Sequence, residues 1–70
     1  MLIRPYGKEA ILIEFDQLIS PKIHQEVLKL YTFFKNQNIE GVRSLIPAYC
    51  SLTIVFDSSK VTIPQLKKQI

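Results

Sequence analysis

The residues that could do chemistry in this chain are few. There is one histidine, His24, and one cysteine, Cys50. Structural zinc sites take about four such ligands and catalytic ones about three, so the sequence predicts no metal site. A cysteine and a histidine can form a nucleophile and its base, but His24 falls on the polar stripe of a predicted helix, which favours a solvated side chain. Cys50 stands next to a predicted turn, where a small packing residue is more typical than a nucleophile.

Carboxylate pairs and glycine-rich loops give little further evidence for a catalytic or cofactor-binding site. Glu14 and Asp16 lie on the same side of a predicted strand and its exit. This spacing could suit acid and base catalysis but is more typical of a solvated strand edge. The glycines are Gly7 and Gly41 alone, so the chain lacks both the dinucleotide-binding fingerprint and the phosphate-binding loop. We therefore expect no cofactor to bind this domain.

The composition predicts a small globular domain. Of the 70 residues, 47% are hydrophobic and 21% are charged, which indicates a packed core. The cations that give the net charge of +3 are interspersed with carboxylates. A nucleic-acid site needs clustered cations, so no nucleic-acid partner is expected. The apolar runs are far shorter than the roughly 20 residues that cross a bilayer, so no membrane partner is expected. A single cysteine and the absence of a signal-peptide pattern favour a cytoplasmic location.

Alternation of apolar and polar residues predicts the strands that would position these groups. Ile11, Ile13 and Phe15 share one apolar face, which is therefore expected to be buried. Pro47 is expected to bend or break the third strand because proline has no amide hydrogen for the ladder. The predicted strands are 2–6, 10–15, 42–49 and 51–56.

The two predicted helices are marked by their start signals. Ser20 and Pro21 predict the start of a long helix, because a serine oxygen can accept a bond from a first-turn amide and proline is tolerated at the first helical position. Thr62 and Gln65 have the spacing of a capping box at the start of a short second helix. The apolar positions that these helices are expected to bury are Ile23, Val27, Leu30, Phe34, Val61 and Leu66.

The order strand, strand, helix, strand, strand, helix predicts a two-layer α+β sandwich. We expect a four-stranded, mainly antiparallel sheet with both helices on one face; a ferredoxin-like strand order is the alternative. The outer face of the sheet would carry Leu12 and Val55 beside Ser51 and Thr53, and it must meet water or a partner. Leu12 and Val55 are thus candidate interface residues.

Residues 1–70 are predicted to form one domain of a longer protein. The second helix is too short to be stable alone, by helix nucleation arguments. We therefore expect the natural polypeptide to continue beyond residue 70, with this chain as its N-terminal domain.

Two blocks of the sequence resemble a known family. Residues 6–15 read Tyr-Gly-Lys-Glu-Ala-Ile-Leu-Ile-Glu-Phe. This is similar to the opening motif Tyr-Gly-Asp-x-Ala-Leu-Leu-Val-Glu-Phe of the family that contains 5-oxoprolinase B, allophanate hydrolase subunit 1 and the KipI-type kinase inhibitors. Residues 46–57 resemble its second block, Pro-x-Tyr-x-Ser-Leu-x-Val-x-Tyr-Asp, and the Ile-Ser-Pro of residues 19–21 resembles the start of its first helix. The resemblance covers nearly the whole chain and keeps the spacing.

The chain departs from the family pattern at two positions. Lys8 stands where the family usually has aspartate, and Cys50 stands where it usually has arginine. An anion-binding role of that arginine therefore does not carry over to this chain.

The resemblance implies the N-terminal domain of a 5-oxoprolinase B-like protein, which continues into a cyclophilin-like C-terminal domain. Such a protein would work with other 5-oxoprolinase subunits in the hydrolysis of 5-oxoproline to glutamate, with ATP as a co-substrate of the complex. Tyr6, Gly7, Tyr49 and Ser51 bracket the two turns that the motifs mark, and they are the candidate contacts with substrate or partners.

Two other functions stay open at this point. A KipI-like protein would inhibit a sensor histidine kinase, mainly through its C-terminal domain. A dimerisation or domain-packing module would use the face of Leu12 and Val55 and have no catalytic role. Whether the longer protein is an enzyme is thus undecided by the residues, and this chain alone is expected to be inactive.

Overall fold

The computed structural model describes residues 2–16 and 20–70. The described residues form four strands and two helices, in the predicted order. The elements are β1 (Leu2–Pro5), β2 (Ala10–Glu14), α1 (Pro21–Gln37), β3 (Val42–Pro47), β4 (Ser51–Phe56) and α2 (Ile63–Lys67). Ile19, part of the predicted helix-start motif, lies outside the described residues.

The strands form one antiparallel sheet in the order β1-β2-β4-β3. β1 and β2 make one hairpin, β3 and β4 make another, and the two hairpins join through β2 and β4. In that central pair, Ala10 lies opposite Val55 and Glu14 lies opposite Ser51. The predicted α+β class and antiparallel sheet are confirmed.

One face of the sheet and both helices share a single hydrophobic core. The buried residues are Ile11 and Ile13 of β2, Leu52, Ile54 and Phe56 of β4, Val27 and Phe34 of α1, and Val61 and Leu66 at the start of α2. Both helices therefore lie on the same face, as the periodicity predicts. Tyr31 packs against the margin of this core, whereas its neighbour Phe33 is 39% exposed.

Helix α1 begins at a proline and ends at a left-handed residue. Pro21 occupies the first turn, and Ser20 has the extended backbone of an N-cap residue. The predicted cap by the serine oxygen is wrong: among the described residues, the Ser20 side chain makes no capping hydrogen bond. The His24 N–H donates to the Ser20 carbonyl at 3.1 Å, which is the first backbone hydrogen bond of the helix. At the other end, Asn38 has a φ of 49°, which asparagine adopts more readily than most residues.

Strand β3 ends at Pro47, so the predicted bend or break at this residue is a break, and the strand does not continue to residue 49. Proline cannot donate to the ladder, so pairing stops there and the turn to β4 follows. Near the start of β3, a register shift between Val42 and Ser44 marks a bulge. Arg43 is the extra residue of this bulge, and it has no partner opposite it in β4.

The start of α2 follows its predicted motif. The Thr62 amide donates to Gln65 Oε1 at 2.8 Å, and the Gln65 amide donates to Thr62 Oγ1 at 3.3 Å. This reciprocal pair is a capping box, and Val61 and Leu66 are buried on either side of it. Since α2 has only 5 residues, its stability comes from this cap and from the burial of Leu66 more than from helix propagation.

Gly41 lies where the connection from α1 to β3 passes the start of α2. Its φ is +97°, and a Cβ added there would lie 2.9 Å from Lys60 Cβ and 3.0 Å from Val61 Cγ1. Its carbonyl accepts a hydrogen bond from the Asp57 amide at 2.6 Å. Gly7 also has a positive φ, +79°, but a Cβ added there would meet nothing within 4 Å. Glycine is thus required at position 41 by both conformation and space, and at position 7 by conformation alone.

The substitution Gly41→Ala is expected to destabilise the domain by about 2–4 kcal/mol, because backbone strain and overpacking act together. Gly7→Ala is the matched control and is expected to cost about 1 kcal/mol, since only the backbone strain remains. Urea unfolding followed by circular dichroism measures both. Equal destabilisation by the two variants would contradict the close packing around Gly41.

The turn between β4 and α2 is organised by Asp57. Its Oδ1 accepts hydrogen bonds from the Ser59 hydroxyl at 2.7 Å and the Ser59 amide at 3.0 Å, and its Oδ2 lies 3.5 Å from the Arg43 guanidinium. The bonds from Ser59, followed by the charge of Arg43, hold the pKa of the Asp57 carboxyl below its ordinary value of 3.8. Because this pKa is lower in the folded state than in the unfolded state, the ionised carboxyl stabilises the fold at pH values above the ordinary pKa. That contribution is lost as the pH falls through the folded pKa.

Removing the Ser59 hydroxyl is expected to raise the pKa of Asp57 towards its ordinary value. Ser59→Ala should raise this pKa more than Arg43→Gln does, because the serine bond is the larger cause of the shift. A titration of the carboxyl carbon by NMR, from about pH 6 to about pH 2, measures the pKa in each variant. A larger rise in Arg43→Gln would show that the ion pair dominates instead.

Candidate functional site

The predicted contact residues Tyr6 and Gly7 lie in the turn between β1 and β2. The Tyr6 amide donates to the Ala10 carbonyl at 2.8 Å, which closes the turn. The Tyr6 side chain is 65% exposed, and Lys8 in the same turn is exposed as well. This end of the sheet therefore presents an exposed aromatic ring beside a glycine that has open space around it.

The predicted contact residue Tyr49 lies in the turn between β3 and β4, against the first turn of α1. Its ring stacks on His24, with the ring centroids 4.7 Å apart and the planes at 11°. Nδ1 of His24 lies 3.4 Å from the Tyr49 carbonyl oxygen, which is long for a hydrogen bond. The sequence predicted a solvated His24, but Tyr49 covers one face of the ring and leaves it only partly accessible.

Cys50 and Ser51 lead from this turn into β4. The Cys50 carbonyl accepts a hydrogen bond from the Phe15 amide at 2.8 Å, and Cys50 is partly buried. Ser51 pairs with Glu14 of β2, and its carbonyl accepts a bond from the Ala48 amide at 2.8 Å. Cys50 thus supports the turn through its backbone, a role that does not depend on its side chain.

The structure places the predicted contact residues at opposite ends of the sheet. Tyr6 and Gly7 precede the first residue of β2, which pairs with Val55 near the end of β4. Ser51 is the first residue of β4, and Tyr49 lies in the turn just before it. A strand rises about 3.3 Å per residue, so the ends of this strand are about 17 Å apart. The two pairs therefore belong to separate surfaces, and each stays a prediction in its own right.

Leu12 and Val55 lie on the face of the sheet that the helices leave open. Leu12 is opposite Thr53 in the central pair, and both Leu12 and Val55 are partly exposed. On the same face, the edge strands add Leu2, which is 63% exposed, and Ile46, which is 54% exposed. The predicted placement of Leu12 and Val55 on this face is confirmed, whereas their role in an interface stays a prediction.

Two of the chemical roles considered for this chain, acid or base catalysis by Glu14 and metal binding, can be compared with the described residues. Glu14 forms an ion pair with Arg4 across β1 and β2, which gives this carboxylate a structural partner. Within residues 2–16 and 20–70, no group of three His, Cys, Asp or Glu side chains could hold a metal ion. In the same part of the chain, no helix has the length and apolar character needed to span a membrane.

Two contacts of these surfaces were missed by sequence reasoning. His24 and Tyr49 are 25 positions apart, and nothing in the local pattern connects them. The pair of Arg4 and Glu14 could have been found, because Arg4 lies opposite Leu12 in the hairpin register, and a diagonal neighbour across two strands is within reach of a long side chain.

The stack on His24 is expected to make Tyr49 more important for stability than Tyr6. Tyr49→Ala should lower the free energy of unfolding by about 1 kcal/mol more than Tyr6→Ala, because stacked ring pairs contribute about 0.5–1.5 kcal/mol and an exposed side chain contributes little. Urea unfolding measures both variants, and Tyr6→Ala is the matched control for Tyr49→Ala. Equal effects would mean that the stack adds nothing to stability.

The chain is similar to known proteins over all or nearly all of its length. The family model described as carboxyltransferase domain, subdomain C and D, matches residues 1–70. A similar solved structure is the crystal structure of the conserved uncharacterized protein PH0987 from Pyrococcus horikoshii, with 31% sequence identity and a TM-score of 0.87. The match covers 96% of this chain and 31% of that chain.

No curated protein matches. The matched family is the one to which proteins of the 5-oxoprolinase B and allophanate hydrolase subunit 1 type belong, so the resemblance seen in the motifs is confirmed. This chain belongs to the carboxyltransferase domain, subdomain C and D, family.

Proposed function

We propose that this chain is the N-terminal domain of a 5-oxoprolinase B-like protein. In this proposal, the protein works with partner subunits in the ATP-dependent hydrolysis of 5-oxoproline to glutamate. The observation that carries the proposal is the match of the family model to residues 1–70. The two motif blocks in residues 6–15 and 46–57 give it further support.

The proposed reaction explains why such an enzyme would need several protein surfaces. The lactam carbon of 5-oxoproline resists attack by water, and transfer of the terminal phosphoryl group of ATP to the lactam oxygen activates it. Water then adds to the carbon, the carbon–nitrogen bond breaks to leave an acyl phosphate, and a second water releases glutamate and phosphate. Catalysis of this kind relies on positioning and on stabilising charge in the transition state. Those tasks need an enclosed site, which we assign to the complete complex.

The contribution of this domain is binding and support. Tyr6 and Gly7 at one end of the sheet are too far from Tyr49 and Ser51 for a small substrate to touch both pairs. We therefore assign the two turns to different contacts, one with the cyclophilin-like domain of the same polypeptide and one with another 5-oxoprolinase subunit.

The isolated chain is expected to release no glutamate from 5-oxoproline and ATP. The full-length protein, reconstituted with its partner subunits, is expected to release glutamate only when ATP is present. A coupled glutamate assay measures both, with the partner subunits alone as the control for their own activity.

Two results would contradict the proposal. Turnover by the isolated chain would place catalytic residues within it. No glutamate release from the reconstituted proteins, together with inhibition of a sensor histidine kinase by the full-length protein, would establish the regulatory function in its place.

A further inference from the structure

A groove between the last turns of α1 and strand β3 has no part in the proposed function. Its volume is about 230 Å³. On the helix side it is lined by Tyr31, Phe34 and Lys35, whose spacing of three and four residues places them on one helical face. On the other side it is lined by Arg43 and Leu45 of β3, which is an edge strand of the sheet.

The charged side chains of the groove are cations. Lys35 and Arg43 both line it, and the described residues that line it include no aspartate or glutamate. The Lys35 ammonium lies 5.8 Å from the centre of the Tyr31 ring, a cation–π contact that holds the charge at this side of the groove. The carbonyl groups at the end of α1 carry partial negative charge that opposes an anion, and the two cations offset it.

Arg43 is available to a ligand at this site. Its side chain is 60% exposed, and its guanidinium lies 3.5 Å from Asp57 Oδ2. An exposed ion pair of this kind contributes little to stability. The guanidinium can therefore turn towards an anion in the groove at small cost.

The remaining lining makes the groove suited to more than a bare anion. The apolar side chains Ile39, Val42 and Leu45 also line the groove, and each of them is partly exposed. An inorganic ion would leave these apolar groups in contact with water, whereas an organic acid with an apolar body would cover them.

We propose that this groove binds a small carboxylate with an apolar body. The carboxylate lies between Lys35 and Arg43, and the apolar body lies against Val42 and Leu45. The volume is below the roughly 300–1,000 Å³ of sites for drug-sized ligands, which limits the ligand to a single small ring or a short chain. The site is independent of the 5-oxoprolinase role, because it uses neither of the turns assigned to that function.

The test is a titration of the isotope-labelled 70-residue chain, followed by the amide signals in NMR spectra. Benzoate is the probe, benzamide is its uncharged analogue, and inorganic phosphate tests charge without an apolar body. Benzoate is expected to cause saturable shifts confined to residues 31–45, with a Kd on the order of 1 mM. Benzamide and phosphate are each expected to bind at least about fivefold more weakly, since each lacks one of the two contributions.

Substitutions identify the cations that take part. Lys35→Gln and Arg43→Gln are each expected to weaken benzoate binding about threefold, in line with exposed charge pairs. Lys29→Gln is the matched control, because it removes the same charge from the same helix outside the groove, and it should leave the Kd unchanged.

Four results would overturn the proposal. The first is the absence of saturable shifts with benzoate, and the second is equal binding of benzamide, which would remove the role of charge. The third is equal binding of phosphate, which would remove the role of the apolar lining. The fourth is an equal effect of Lys29→Gln and Lys35→Gln, which would reduce the site to the net charge of the chain.

Discussion

Burial of the inner face of β2 and β4 beneath α1 holds this domain together. Ile11 and Ile13 of β2 and the inward side chains of β4 are at most 1% exposed. Each such residue contributes about 1.5–3 kcal/mol when fully buried, against an ordering cost of about 1–2 kcal/mol for every residue of the backbone. A chain of this size buries only about 60% of the surface that it exposes when unfolded. The inward positions are therefore all needed for stability, and the described residues include no buried polar or charged side chain.

Because apolar side chains fill the interior, contacts with other molecules can form only at the surface. The lengths of the strands set the distance between the turns where such contacts can form. The six residues of β4 separate the turn of Tyr49 from the turn of Tyr6, so contacts at the two ends are independent. The bulge at the start of β3 likewise sets the position of one surface side chain. Because Arg43 has no partner opposite it in the ladder, its side chain is directed by the bulge towards both Asp57 and the groove beside α1.

Local sequence patterns correctly predicted the elements that depend on residues close together in the chain. The alternation at Ile11 and Ile13 and the capping box at Thr62 each depend on residues a few positions apart, and both were correct. The predicted end of β3 was two residues too late, whereas the expectation that Pro47 bends or breaks the strand was met by a break, because proline cannot donate to the ladder. The stack of His24 on Tyr49 could not be predicted, since it requires the relative placement of α1 and a turn between two strands. The two turns that carry the four candidate contact residues were found from the sequence, but the distance between the turns could not be, since it depends on the register of β2 and β4.

The two departures from the family pattern fall in turns whose backbone conformation and hydrogen bonds do not require the usual side chain. Cys50 supports its turn through a carbonyl that accepts the Phe15 amide, and Lys8 is exposed in a turn that Gly7 makes possible. Replacing the usual arginine by cysteine and the usual aspartate by lysine therefore leaves the fold intact. It does change the charge at the two ends of the sheet, because one end loses a cation and the other exchanges an anion for a cation. Charge at the rim of an interface affects the choice of partner and the rate of association more than affinity. The departures from the family motifs thus alter charge at the surface, while the buried face of β2 and β4 keeps the architecture of the family.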